Sequence, residues 1–167
     1  MSGDDVVRAP LQPLRCLVMP LSERFALLPS ALVHALLYNE RVSAPPLHAP
    51  AWVLGSVQRD GSGVVPLLSL ERLCSLRTGS SDIGHIALIR RVDVGETPPF
   101  FAVRLAAAPW VVEVDSANVS RSAATDAGVG CVASHITLDG KAGVIPDLDA
   151  IGRHLSGLSD GAPAADA

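Results

Sequence analysis

Two stretches of this chain carry the same order of local signals, and that repetition constrains the fold more than any other feature. The first reads Val57-Gln-Arg-Asp60-Gly61-Ser-Gly-Val64-Val65-Pro66-Leu-Leu68, and the second Ile136-Thr-Leu-Asp139-Gly140-Lys-Ala-Gly-Val144-Ile145-Pro146-Asp-Leu148. Each is a strand, an Asp-Gly pair, a second, β-branched strand and a proline, with one more residue between turn and proline in the second copy. Asp-Gly readily takes up the positive φ of a tight hairpin, and proline ends a strand by withholding a ladder donor. A short helical pattern follows both times: Ser69 would cap Leu70, Leu73 and Leu76, and Asp147 would cap Leu148, Ile151 and Leu155. Asp-Gly hairpins are common enough that coincidence stays open beside duplication; duplication predicts two similar small β-barrels packed into one domain.

The rest of the chain fits that expectation. Short apolar runs alternate with turn signals at Leu14 to Leu21, Arg24 to Leu28, Trp52 to Arg59, Val64 to Leu68, His85 to Val92, Phe100 to Leu105, Trp110 to Val114, Val129 to Leu138 and Lys141 to Ile145, a spacing that favours an all-β arrangement over βαβ units. One further helix is expected from Pro29 to Leu37, where Leu32, Leu36 and Val33 share a helical face. Residues 1–13 and 156–167 are polar or proline- and alanine-rich and read as flexible tails around a domain at 14–155. A hydrophobic content of 49% with only 2 Trp, 1 Tyr and 3 Phe fits many short Val- and Leu-rich segments buried on at least one face.

Several functions are disfavoured. A net charge of −4, from 13 basic and 17 acidic residues, offers no general attraction to nucleic acid. The three cysteines, Cys16, Cys74 and Cys131, form no C-x-x-C and no even disulfide set, which suits the reducing cytoplasm. Asp4 and Asp5 stand where a signal peptide needs positive charge, and the longest apolar stretch, Phe25 to Tyr38, is interrupted and too short to span a membrane. The five histidines have neither i, i+4 pairing nor neighbouring ligands, so no metal is expected, and His85 and His135 read as half-buried packing residues. Ser62 belongs to a turn rather than a nucleophile elbow, and Gly128-Val-Gly130 lacks the strand before it and the helix after it that a dinucleotide site requires. Arg90-Arg91 with Asp93 and Glu96, and Glu71-Arg72, read as solvated faces or local pairs. Trp52 and Trp110 read as core, with a partner anchor as the alternative at a barrel edge.

Ala51-Trp52-Val53-Leu54-Gly55-Ser-Val57, followed by the turn and Val64-Val65-Pro66-Leu67-Leu68-Ser69-Leu70, resembles the aromatic-x-x-G-V-x-N-L-R-G and V-P-V-x-D-L motifs of the CheW family of chemotaxis coupling proteins. The order of the remaining segments, through the closing Ile136-Thr-Leu-Asp139-Gly140 and its helix, extends the resemblance over residues 14–155. It implies a mainly β fold of two intertwined SH3-like barrels with a few short helices, no catalytic residues and no cofactor. It also implies a cytoplasmic adaptor, recruited to membrane-associated arrays, that binds the regulatory domain of a CheA-type histidine kinase and the cytoplasmic tip of a chemoreceptor. Leu27-Leu28-Pro29-Ser30 and Ser69-Leu-Glu-Arg72 resemble the ChpC-type variants of type IV pilus systems, implying a role in twitching motility. Where the family has N-L-R-G this chain has Gln58-Arg59-Asp60-Gly61, Ser69 replaces an aspartate, and His34 replaces an aliphatic residue. Carried over position by position, the partner contacts are His34, Gly55, Val57, Arg59 and Gly61, with Val64 in support; the glycines also have a plain backbone role and the valines a plain core role. Two other classes remain open from the residues: a β-barrel that binds peptides or oligonucleotides, and a small enzyme whose site assembles only in the fold.

Overall fold

Residues 12–79, 84–93, 95, 99–122 and 130–160 are described by the structure, a computed structural model. The chain opens with an antiparallel pair, β1 (Leu14–Pro20) and β2 (Phe25–Pro29), and a single 3-10 turn at Ser30–Leu32 leads into β3 (Val33–Tyr38). There follow β4 (Val42–Ser43), the hairpin β5 (Val53–Arg59) and β6 (Gly63–Leu68), helix α1 (Leu70–Leu73), and the pair β7 (His85–Arg90) and β8 (Phe100–Leu105). The last part comprises β9 (Trp110–Val114), β10 (Val119–Arg121), the hairpin β11 (Val132–Leu138) and β12 (Lys141–Pro146), and helix α2 (Leu148–Asp160).

These strands make two six-stranded sheets of the same plan. One, the central barrel, uses consecutive strands in the order β4-β5-β6-β8-β7-β3; the other, the split barrel, has the order β10-β11-β12-β2-β1-β9. Position by position, β9 to β12 repeat β3 to β6, whereas the counterparts of β7 and β8 are β1 and β2. The split barrel is therefore a circular permutation of the central one, completed by the β1–β2 hairpin. Both barrels share the same parallel seam, with Leu67 opposite Ala102 in one and Val144 opposite Ala26 in the other. Both also have a bulge at the same place, between Val53 and Gly55 and between Val132 and Ser134.

Three apolar cores follow from the alternation of the strands. Val57, Val65, Leu67, Ile86 and Leu88 fill the central barrel, and Cys16, Val18, Phe25, Leu27 and Ile136 the split one. The opposite faces of the same strands, with Leu70 and Leu73 of α1 and Ile151 and Leu155 of α2, make a larger core between the barrels around Met19, Leu28 and Phe101. Strands buried on both faces explain why the sequence runs so rich in Val and Leu.

Two expectations need revision. Residues 33–38 form a strand, not a helix: Val33, Ala35 and Leu37 turn inward while His34, Leu36 and Tyr38 face out, and β3 pairs with β7. Leu32, Val33 and Leu36 suit either period over so short a stretch, and the unpaired edge of β7 decides it. The strands β4 and β10 are too brief to leave a pattern in sequence. The helix after Asp147 continues past 155 to Asp160, while residues 1–11, 161–167 and the Gly128 end of the dismissed glycine motif lie outside the described residues.

The duplication is present, but its alignment shifts. Ser69 and Asp147 occupy the same place: the Ser69 N–H donates to the Trp52 carbonyl and the Asp147 N–H to the Cys131 carbonyl, both at 2.9 Å. Each caps its helix, Ser69 Oγ accepting from the Arg72 N–H at 3.3 Å and the Asp147 carboxylate from the Ala150 N–H at 3.0 Å. Counted from these caps, Pro66 and Pro146 are not counterparts, and the extra residue belongs to the first turn. Arg59 faces Gly63 across three residues there, with Gly61 at φ 77°, whereas Leu138 faces Lys141 across two, with Asp139 and Gly140 at 49° and 80°. The second is the two-residue hairpin in which both central residues need positive φ.

Candidate docking surface

The six residues singled out in sequence all lie on the central barrel, and the structure separates them into surface and support. Val57 is only 1% exposed, inside the barrel, so it supports the hairpin and offers nothing to a partner. Gly55 is buried as well. Its φ is 147°, and a Cβ there would come 2.1 Å from the Ser43 carbonyl oxygen, so glycine is what admits β4 against β5. As direct contacts these two expectations are corrected; both are packing positions.

Arg59, Gly61 and Val64 do reach the surface, at the tip of the β5–β6 hairpin. Gly61 is exposed in the turn, and Val64 is 58% exposed despite lying on a strand. Arg59 Nη1 donates to Glu40 Oε1 at 3.5 Å, with both side chains about a third exposed, so the guanidinium is held against the β3–β4 connection while remaining open to solvent. A pair this exposed contributes little to stability, about 0 to 1 kcal/mol, but it sets where the charge is presented.

His34 stands elsewhere, on the outward face of β3, with its ring stacked on Phe100 at a centroid distance of 4.3 Å. On the same face Leu36 is 50% exposed and Tyr38 67%, the latter against His85 at 4.8 Å. Because Leu36 lies opposite Ala87 of β7, a residue of the core between the barrels, this edge strand carries that core out to the surface. Leu36 and Tyr38 escaped the sequence reading because a helical assignment turned Leu36 inward. Trp110, expected in the core, is also half-exposed at the start of β9, the counterpart of β3 in the split barrel. An edge strand with outward apolar side chains is a surface suited to protein contact.

Burial pushes the Cys74 thiol up to about 12, with the nearby Cys131 adding to it, and burial likewise raises Cys16 and Cys131. Such thiols are inert rather than nucleophilic. Among the described residues no group of His, Cys, Asp and Glu is arranged to hold a metal, and no helix is long and apolar enough to cross a membrane. Of the charges read as solvated faces or local pairs, Glu71 is buried against Arg104, and Arg91, paired locally with Asp93, also reaches α2.

No family model matches the chain, and no curated protein matches it in sequence. In structure it is similar to the scaffolding protein TtCheW from Thermoanaerobacter tengcongensis, with a TM-score of 0.64 and 17% sequence identity over 81% of this chain and 90% of that one. The two permuted barrels joined through one core thus make up the fold of a CheW scaffolding protein.

Proposed function

We propose that this chain is a non-catalytic adaptor that couples a CheA-type histidine kinase to chemoreceptors in bacterial two-component chemosensory signalling. The observation that carries the reading is a CheW-type pair of barrels whose central member presents Arg59 and Val64 at one hairpin tip and Leu36 and Tyr38 along one edge strand. Apolar contact at β3 supplies affinity, and the partly exposed Arg59 supplies selectivity. The partners are the regulatory domain of the kinase and the cytoplasmic tip of a receptor, met in the cytoplasm at membrane-associated arrays. Coupling then follows from holding both in register, so that receptor states with different contacts bias the kinase differently.

The ChpC-like segments at Leu27 to Ser30 and Ser69 to Arg72 support a role for the adaptor in a type IV pilus system governing twitching motility. Mixing the purified protein with the kinase regulatory domain and a soluble receptor fragment tests the adaptor role: a ternary complex in which neither partner displaces the other is expected, and competition or no complex contradicts it. A clean deletion that leaves surface motility intact removes the pilus assignment alone.

A further inference from the structure

Each helix is gripped from the barrel to which it does not belong. Glu71, on α1 beside the central barrel, accepts from the backbone N–H and the hydroxyl of Ser22, both at 2.9 Å. Ser22 lies in the β1–β2 turn of the split barrel. The other carboxylate oxygen accepts from Ser69 Oγ at 3.1 Å and from Arg104 Nη2 at 3.4 Å, so the enclosed charge has a partner on every side.

The same device recurs in the opposite direction. Arg91 leaves the end of β7 in the central barrel, and its guanidinium donates to the Gly152 carbonyl at 3.4 Å and to Ser156 Oγ at 3.3 Å, both on α2 of the split barrel. Asp93 holds that guanidinium from behind, Nε meeting Oδ1 at 2.8 Å and Nη2 meeting Oδ2, and the Arg91 side chain is left only 4% exposed. A Cβ on Gly152 would stand 3.3 Å from the Asp93 carboxyl, so a bare backbone lets the pair close on the helix. The β7–β8 turn is the counterpart of the β1–β2 turn, and α2 of α1. In both places the turn donates and the helix accepts.

We infer that these two clamps form a reciprocal lock that fixes the angle between the barrels, each hairpin turn of one barrel holding the helix of the other. The apolar core between the barrels is non-directional and tolerates small rotations, whereas hydrogen bonds to a buried charge have fixed lengths and angles. A load applied to one barrel is therefore passed to the helix of its neighbour, and surfaces on the two barrels keep one separation. The inference rests on the clamps themselves and holds whatever the chain binds.

Amide hydrogen exchange on the full chain tests it, with Ser22→Ala, Glu71→Gln and Arg91→Met beside the unaltered protein. Ser22→Ala is expected to speed exchange about tenfold at the Leu73, Cys74 and Leu76 amides, in the barrel that does not contain Ser22, since one hydrogen bond to a charge is lost. Arg91→Met is expected to do the same along residues 151–158, and Glu71→Gln to loosen the β1–β2 turn from the other side. Faster exchange confined to the barrel that carries the substitution overturns the lock, as does an unchanged rate at the opposite helix. Ser22→Ala keeps its backbone N–H and removes one hydroxyl, so it still decides the matter if Glu71→Gln does not fold.

Discussion

The central and split barrels share strand order, seam, bulge and cap, yet differ at the hairpin tip. Arg59 and Val64 in one correspond to Leu138 and Ala142 in the other, counting along the paired strands. Leu138 is turned into the core of its barrel, whereas Arg59 is about a third exposed and held by Glu40. Both barrels keep strand order, seam and bulge; at the hairpin tip, where solvent reaches, they differ. On the proposed adaptor reading, docking belongs at the central tip, with the split barrel its structural counterpart.

The largest effect that could break this comparison is at the bulge. Gly55→Ala combines a backbone that L side chains rarely adopt with a Cβ driven into the Ser43 carbonyl, and is expected to cost about 3 kcal/mol or more in denaturant unfolding. Ser134→Ala, at the corresponding place in the split barrel, is expected to change stability by about 0.5 kcal/mol or less. Equal losses would mean that the two bulges do the same work.

The clamps come next. Glu71→Ala strands Arg104 without its carboxylate inside the protein and is expected to cost about 3 kcal/mol. Asp93→Asn, with its side chain about a third exposed, is expected to cost about 1 kcal/mol. Acid sharpens the same contrast. Burial works against the Glu71 charge, but the Ser22 N–H and hydroxyl, Ser69 and Arg104 outweigh it and hold the carboxyl below its usual range; the Arg91 hydrogen bond lowers Asp93. A lowered folded pKa gives stability that is fully present above the unfolded value, about 4 for either group, and is lost as pH falls through the folded one. Unfolding midpoints should therefore drop between pH 6 and pH 2.5, and drop less in Glu71→Gln. An identical decline in that variant would place the acid sensitivity elsewhere.

The smallest effect concerns the thiols. With Cys74 pushed up to about 12 and all three cysteines buried, alkylation at pH 8 should leave the native protein unlabelled and label it fully in denaturant. Rapid native labelling would show that the core between the barrels opens readily.

The hairpins, caps and most strands were legible because each is written within a dozen residues: Asp-Gly for the turns, Ser69 and Asp147 for the helix starts. The edge strand β3 was not, since Leu32, Val33 and Leu36 satisfy two periods and only pairing with β7 separates them. Circular permutation leaves no local trace either, because β2 meets β12 from the far side of the chain. Glu71 and Arg91 look like surface charges for the same reason. The Glu71 partner Ser22 is 49 residues away and the Arg91 partner Ser156 is 65. Among the six proposed contacts, sequence motifs did not distinguish the exposed Arg59 and Val64 from the enclosed Gly55 and Val57.

The most direct measurement is titration of the purified protein against the regulatory domain of a CheA-type kinase from the same organism, with Arg59→Glu and Lys141→Glu as a matched pair. Both substitutions reverse a charge at a hairpin tip, one on each barrel. Saturable binding weakened about tenfold or more by Arg59→Glu, as expected for a charge at an interface, and left within about twofold by Lys141→Glu is the predicted result. Equal weakening by both would contradict the assignment of docking to the central barrel, and no binding by the unaltered protein would contradict the adaptor reading itself.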